Sequence, residues 1–236
     1  MDINGVLIID KPEGWTSHDV VAKLRGALRI KRIGHGGTLD PMATGVLPVF
    51  IGTSTRLSGT STEADKEYIA GLKLGIVTDT QDTTGNVLSE NDVTCSADEL
   101  RVVLSRFLGP QKQIPPMYSA KKQGGKKLYE LARKGIEVAR EPRDINVFDL
   151  EILERQGDVT GGRGFVNPLV NIRVKCSKGT YVRTLCHDIG ASLGCGAAMS
   201  SLRRLKSGNY TIEDAHTLEK VLESIKENTF DKLLTK

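Results

Sequence analysis

Residues 32–45, RIGHGGTLDPMATG, gather the side chains best suited to chemistry in this chain. One imidazole, His35, and one carboxylate, Asp40, stand among Gly34, Gly36, Gly37 and Gly45. Glycines allow tight turns and let another molecule approach the main chain closely. Pro41 pushes Asp40 toward an extended conformation and bars a helix from running through it. A carboxylate held on such a fixed loop can act as a nucleophile or as a general base. The same residues also fit a solvent turn in which Asp40 caps a backbone N–H. The pattern by itself leaves both readings open.

A loop that does chemistry needs rigid elements behind it. Residues 46–51 (VLPVFI) read as a buried strand directly after the loop, and residues 5–9 as another, ended by the turn Lys11-Pro12-Glu13-Gly14. Thr16 and Asp19 have capping-box spacing. Val20, Val21, Leu24 and Leu28 then recur at helical intervals, with Lys23, Arg25 and Arg29 on the opposite, solvated face. Tyr68, Ala70, Leu72, Leu74 and Ile76 alternate as a strand. Ser96 and Glu99 open a second capped helix that runs to Gly109-Pro110. Phe148, Leu150 and Ile152 mark one later strand, and Val170, Ile172, Val174 and Cys176 another. Residues 157–164 read as a glycine-rich turn. Leu185, Ile189 and Leu193 mark a helix ending at Gly194, and residues 218–225 a last one. Strands and helices are mixed without regular alternation, which predicts α+β with a mixed, largely antiparallel sheet.

Composition narrows the function classes. The 236 residues are 39% hydrophobic and 26% charged, ordinary for a folded protein. No run reaches transmembrane length, and the opening MDINGVLIID has an acid where an export signal would be basic. The expectation is a cytoplasmic chain whose cysteines (Cys95, Cys176, Cys186, Cys195) are reduced, with no metal site at their spacing. The segment TDTQDTTG fails as a calcium loop, because Thr84 stands where the sharp turn needs glycine. Gly124-Gly125-Lys126-Lys127 lacks the spacing of a phosphate-binding P-loop. Residues 121–143 hold eight basic residues against three acids, although the whole chain carries only +4. Basic character this local predicts a polyanion docking site. Residues 111–143 read as a weakly packed insertion in which Lys121, Lys122, Lys126 and Lys127 meet phosphates.

Six motifs together resemble the TruB-type tRNA pseudouridine synthases. They are GVLIIDKPEGWTSHDVV, GHGGTLDPMATGVLP, DKEYIAGLKLG, TDTQDTTG, PPMYSAKKQGGKKLYELARKGIEV and CSKGTYVRTLCHDIG, and the likeness runs from about Gly5 to the end of the chain. One departure is Gly36, where that family has a polar residue. The resemblance implies the pseudouridine synthase fold, with an RNA-binding cleft across one sheet. It also implies isomerisation of the uridine at position 55 in the tRNA T loop, without cofactor or metal. Asp40 would be the nucleophile or base, Arg183 its cation partner, and Asp82 the acid that completes the network. Tyr68 and Tyr181 would sandwich the extracted base, with Tyr68 also helping to remove the C5 proton. His35 would fill the space that the base leaves or meet phosphate, and Leu202 would line the pocket. Read without the resemblance, Tyr68 and Leu202 are core residues and Tyr181 a strand-end aromatic.

The implied partner is the T-arm stem-loop of tRNA, bound by a monomer with no obligatory protein partner. The expected organisation is one catalytic domain over residues 1–236. Residues 210–215 resemble the segment that closes it, leaving a tail too short for a further RNA-binding PUA domain. Two competing classes are a non-catalytic RNA-binding module and a glycosidase-like hydrolase. The first gives no account of Asp40, which repels phosphate. The second usually needs a paired acid, and the motif offers none.

Overall fold

The apolar run after Asn4 folds as β1 (Gly5–Lys11) in the computed structural model, which describes residues 3–119, 121–156 and 169–235. The chain divides into two units, the first made of Met1–Ile69 with Ser201–Lys236 and the second of Ala70–Ser200. In the first unit α1 (Ser17–Leu28), β2 (Ile33–His35), β3 (Thr44–Ile51) and α2 (Ser58–Glu63) follow β1, and β4 (Lys66–Leu74) leads out of it. The expected capping box of α1 is present. Thr16 Oγ1 accepts from the Asp19 N–H, and the Asp19 carboxylate accepts from the Thr16 N–H.

β1 and β3 pair antiparallel, with Leu7 opposite Val49 and Ile9 opposite Leu47. Side-chain alternation divides the two strands between two cores. Leu7, Ile9, Leu47, Val49 and Ile51 join Val20, Val21 and Leu24 of α1. Val6, Ile8, Val46 and Phe50 form the other cluster. Burial on both faces explains why these strands read as continuous apolar runs rather than as alternating ones. Each fully buried Leu or Ile contributes roughly 1.5–3 kcal/mol.

The second unit continues with β5 (Ile76–Thr78), β6 (Val87–Glu90), α3 (Ala97–Arg106), β7 (Gly109–Gln113), β8 (Lys122–Gln123), β9 (Lys126–Lys127) and α4 (Leu128–Ala132). After these come β10 (Arg143–Gln156), β11 (Leu169–Cys176), α5 (Val182–Leu193) and the beginning of β12 (Ala197–Ser207). Its sheet order is β4-β11-β10-β7. β11 alternates as expected, burying Val170, Ile172, Val174 and Cys176. α5 stops at Gly194, whose φ of 80° is the left-handed cap that glycine adopts without cost. All four cysteines are buried free thiols.

β12 returns the chain to the first unit, which closes with β13 (Tyr210–Thr211), β14 (His216–Thr217) and α6 (Leu218–Lys226). The sheet order in this unit is β14-β1-β3-β12. The β1–β14 and β3–β12 pairs are parallel, while β1–β3, β10–β11 and β7–β10 are antiparallel. The class is therefore the expected α+β with a mixed, largely antiparallel sheet.

Two segments differ from the sequence reading. Residues 111–143 do not begin as a loose insertion: Gln111 to Gln113 belong to β7, and Gln113, Pro115, Pro116, Ser119 and Leu128 are buried. β10 starts at Arg143 and carries a register shift between Val147 and Asp149. Ile145 and Val147 face inward before the shift, Leu150 and Ile152 are half-buried after it, and Phe148 is left exposed. A bulge inserts one residue and reverses the inward parity. The turn expected at residues 157–164 lies outside the described residues.

Candidate active site

The Asp40 loop is irregular, as Pro41 and the glycines require, and both of its flanks are tied down. The buried Ser17 hydroxyl at the start of α1 donates to the Leu39 carbonyl at 3.2 Å and accepts from the Leu39 N–H at 2.9 Å. On the other side the Gly14 N–H donates to the Pro41 carbonyl at 2.8 Å, and the Ala43 N–H closes a turn on the Asp40 carbonyl at 3.0 Å. Asp40 itself is half-buried. Its backbone is thus held on both sides by hydrogen bonds to the main chain, the arrangement that preorganised chemistry needs.

Two buried cations reinforce the loop, and neither was singled out in the sequence. Lys11, fully buried at the end of β1, donates from Nζ to the carbonyls of Trp15 (2.5 Å), Pro12 (2.9 Å) and Pro41 (3.3 Å). Burial lowers the Lys11 ammonium to about 8, opposed by the nearby Asp40 carboxylate and helped by Arg204. Arg204 of β12, 1% exposed, donates from Nε to the Val46 carbonyl at 2.7 Å and from Nη2 to the Gly37 carbonyl at 3.1 Å. Gly45, with φ of 97°, lies against the Arg204 main chain, and a Cβ there would come within 2.8 Å of the Arg204 nitrogen. Gly45 therefore makes room for the β12 main chain.

Lys11 makes stability depend on pH in a defined direction. Its folded value lies below the ordinary 10.5, so from about pH 8 to 10.5 the unfolded chain holds a proton that the folded chain has released. Stability then rises with pH across that window. Denaturant unfolding should show wild type gaining on Lys11→Met between pH 8 and 10.5. Parallel curves would mean that Lys11 stays charged.

The other expected residues of the first unit fall as follows. His35 lies in β2 with a buried Nδ1 that has no hydrogen-bond partner among the described residues. Burial, then Arg204 and His18, lower its pKa. A neutral imidazole suits the space-filling role better than the phosphate-binding one. Gly36, next to it, has no room for a side chain, since a Cβ would meet Ser61 Cβ at 2.6 Å and Phe50 Cε2 at 2.9 Å. Tyr68 is 8% exposed in β4, and Leu202 is half-buried in β12.

In the second unit the structure brings Asp82 and Arg183 together as a buried ion pair at 3.5 Å. Asp82 Oδ1 accepts from the Thr80 hydroxyl (2.8 Å), the Thr84 N–H (3.0 Å) and the Thr84 hydroxyl (2.5 Å). Arg183 Nη2 donates to the Tyr118 carbonyl at 2.7 Å. The turn carrying Asp82 is bonded to β12 through Met199, which donates to the Gln81 carbonyl and accepts from the Thr83 N–H. Gln81 holds φ of 66°, an uncommon conformation for a side chain other than Asn, Asp or Gly. Tyr181 is the residue before the first turn of α5, not a strand end. Buried Gln113 clamps its main chain, donating to the Tyr181 carbonyl (3.1 Å) and accepting from its N–H (2.8 Å). Gln113 was missed because β7, GPQKQ, has no apolar residue to signal a strand.

The lysine-rich segment forms a β8–β9 hairpin with Lys122 opposite Lys127. Gly124 and Gly125 make its turn with φ of 57° and 81°, the paired positive values of a two-residue hairpin turn. Lys121 and Lys126 are exposed, and Lys127 Nζ lies 5.4 Å from the Tyr129 ring centre.

Comparison with known proteins agrees with this architecture. Residues 25–182 match the TruB family pseudouridylate synthase N-terminal domain, and residues 183–236 match the tRNA pseudouridylate synthase B C-terminal domain. The tRNA pseudouridine synthase B of Alkaliphilus oremlandii is 48% identical over 219 residues, covering 93% of this chain and 70% of the relative. That of Clostridium tetani is 49% identical over 223 residues, covering 94% of this chain and 73% of the relative. A solved Cbf5–Nop10–Gar1 complex superposes with a TM-score of 0.73 at 34% identity, and the match spans 98% of this chain and 59% of that chain. With more than half its length matched by the first of these domains and near-half identity to these relatives, the chain belongs to the TruB family of pseudouridylate synthases.

Proposed function

We propose that this chain isomerises the uridine at position 55 in the T loop of tRNA to pseudouridine. The observation that carries the reading is Asp40, held on a loop pinned at Leu39 and Pro41, in a chain 48% identical to a tRNA pseudouridine synthase B. The N1–C1′ bond breaks, uracil turns, and C5 bonds to C1′, with atoms conserved overall. One positioned carboxylate suffices, as nucleophile or as base toward a sugar proton. In this reading Arg183 keeps Asp40 ionised and oriented, and Asp82 fixes the Arg183 guanidinium, whose planar fork suits carboxylates. Tyr68 and Tyr181 stack on the extracted base, His35 fills the space it vacates, and Leu202 lines the pocket. A base inside a folded loop must leave its stack before the chemistry can begin. The working form is a cytoplasmic monomer that contacts the T arm. Among the described residues no helix is long and apolar enough to cross a membrane.

Nucleoside analysis of tRNA incubated with the protein tests this against the alternatives. Isomerisation gives a nucleoside of unchanged mass and altered retention, a hydrolase releases uracil, and a binding module leaves uridine intact. Only the first outcome is compatible with the proposal.

The lysines supply affinity rather than chemistry. Replacing Lys121, Lys122, Lys126 and Lys127 with Gln should weaken tRNA binding. It should also flatten the salt dependence by roughly one unit of slope for each phosphate that is no longer neutralised. Turnover at saturating tRNA should change far less. An unaltered slope would make these lysines a solvated face.

A further inference from the structure

Tyr181 occupies a position that its own side chain does not suit. It precedes the first turn of α5, where a short oxygen-bearing side chain normally accepts from the helix N–H groups, and it makes no such hydrogen bond. A distant side chain holds its main chain instead. Gln113, 3% exposed at the end of β7, accepts from the Tyr181 N–H at 2.8 Å and donates to the Tyr181 carbonyl at 3.1 Å. A main-chain N–H only donates and a carbonyl only accepts, so one orientation of the amide serves both. The carbonyl also accepts from the Leu185 N–H at 3.0 Å, within the helix. The helix therefore holds the carbonyl side, and Gln113 adds the hold on the N–H side. With the peptide groups on both sides of the Tyr181 Cα fixed, the direction of its Cα–Cβ bond is fixed too. Burying an amide is costly unless it is hydrogen-bonded, and packing alone would favour an apolar residue at this inward position of β7. Arg183, two residues further on, has its own ties to Asp82 and to the Tyr118 carbonyl. The clamp thus acts on Tyr181 rather than on the ion pair.

Resting on the function proposed above, we infer that Gln113 is a positioning residue of the isomerisation, aiming the Tyr181 ring at the extracted base. Uracil must turn between bond breaking and bond making, and a ring of fixed direction sets the face against which it turns. Gln113 touches only the Tyr181 main chain in this role and acts on the base through the ring. That dependence predicts a specific non-additivity.

A double-mutant cycle reads it. Wild type, Gln113→Met, Tyr181→Leu and the double variant are compared for kcat, KM and melting temperature with tRNA carrying tritium at uridine C5. Tritium is released only when the C5–H bond breaks. Gln113→Met has nearly the same length but no amide. It should lower kcat between about tenfold and a hundredfold, the scale of a displaced group near the reacting atoms, with KM nearly unchanged. In the Tyr181→Leu background there is no ring left to aim, and the same change should cost less than about threefold. Equal losses in both backgrounds, or a loss that follows melting temperature alone, would make the clamp merely structural and overturn the inference. Gln113→Asn gives an independent reading if Gln113→Met does not fold, since its shorter amide stays neutral and polar but does not span both main-chain groups. It should lower kcat at nearly unchanged melting temperature, and a wild-type kcat would overturn the inference. A wild-type protein that releases no tritium would instead remove the functional reading on which it rests.

Discussion

Asp40→Asn should abolish pseudouridine formation while leaving tRNA binding almost intact. The substitution is nearly isosteric, and the hydrogen bonds that shape the loop run to the main chain of Leu39, Asp40 and Pro41. The amide therefore occupies the carboxylate's place without a charge or a lone pair basic enough to attack carbon or take a proton. Loss of a nucleophile that works within a set of residues costs roughly 10⁴-fold or more. Affinity, supplied mostly by phosphate contacts, should stay within a factor of about three. A second consequence follows from Lys11. Asp40 is the largest influence raising the Lys11 pKa, so removing its charge moves that ammonium below its present value of about 8. Single-turnover assays with excess protein measure the chemistry, and filter binding measures the affinity. Turnover within tenfold of wild type would dismiss Asp40 as the reacting group.

The parts of the fold that declared themselves in the sequence are those stabilised by local rules. Thr16 with Asp19, and Ser96 with Glu99, announced helix starts because a capping box is a short-range exchange of hydrogen bonds. β11 was legible because one face is buried and the other is not. The Asp40 loop was legible through Pro41 and the glycines. What stayed hidden depends on distant partners. β12, AAMSSLRRLKS, looks like a surface segment, and its Arg204 reads as solvated until β3 and the Asp40 loop supply the acceptors. Lys11 is hidden in the same way, since the three carbonyls around its ammonium lie beyond any apolar count. Gln113 is buried because it extends main-chain pairing to Tyr181, and hydrophobic periodicity carries no trace of that. Buried polar groups are satisfied by tertiary structure, so single-sequence patterns place them on the wrong side of the surface. The resemblance named Asp82 and Arg183, but nothing in their local sequence marks them as a pair. Only the folded second unit puts them 3.5 Å apart.

That pair carries the other large expected effect, and here stability and activity can be separated. Arg183→Met removes a cation from a site where both side chains are at most 8% exposed. Asp82 Oδ1 keeps its bonds from Thr80 and Thr84, but Oδ2 faces the vacated position and the Tyr118 carbonyl loses its donor. Leaving one partner of a buried pair costs about 3–5 kcal/mol. In a chain of this size that lowers the melting temperature by about 6–20 °C. Adding Asp82→Asn should return more than half of the loss, because the amide oxygen still accepts from the threonines and no buried charge is left unpaired. Activity should not return, because the cation proposed to orient Asp40 is still missing. The double variant is therefore expected to be stable, RNA-binding and inactive, as judged by calorimetry, filter binding and tritium release together. Additive stability losses would show that the 3.5 Å contact does not couple the two residues. Activity recovered along with stability would show that Arg183 supports the fold rather than the chemistry.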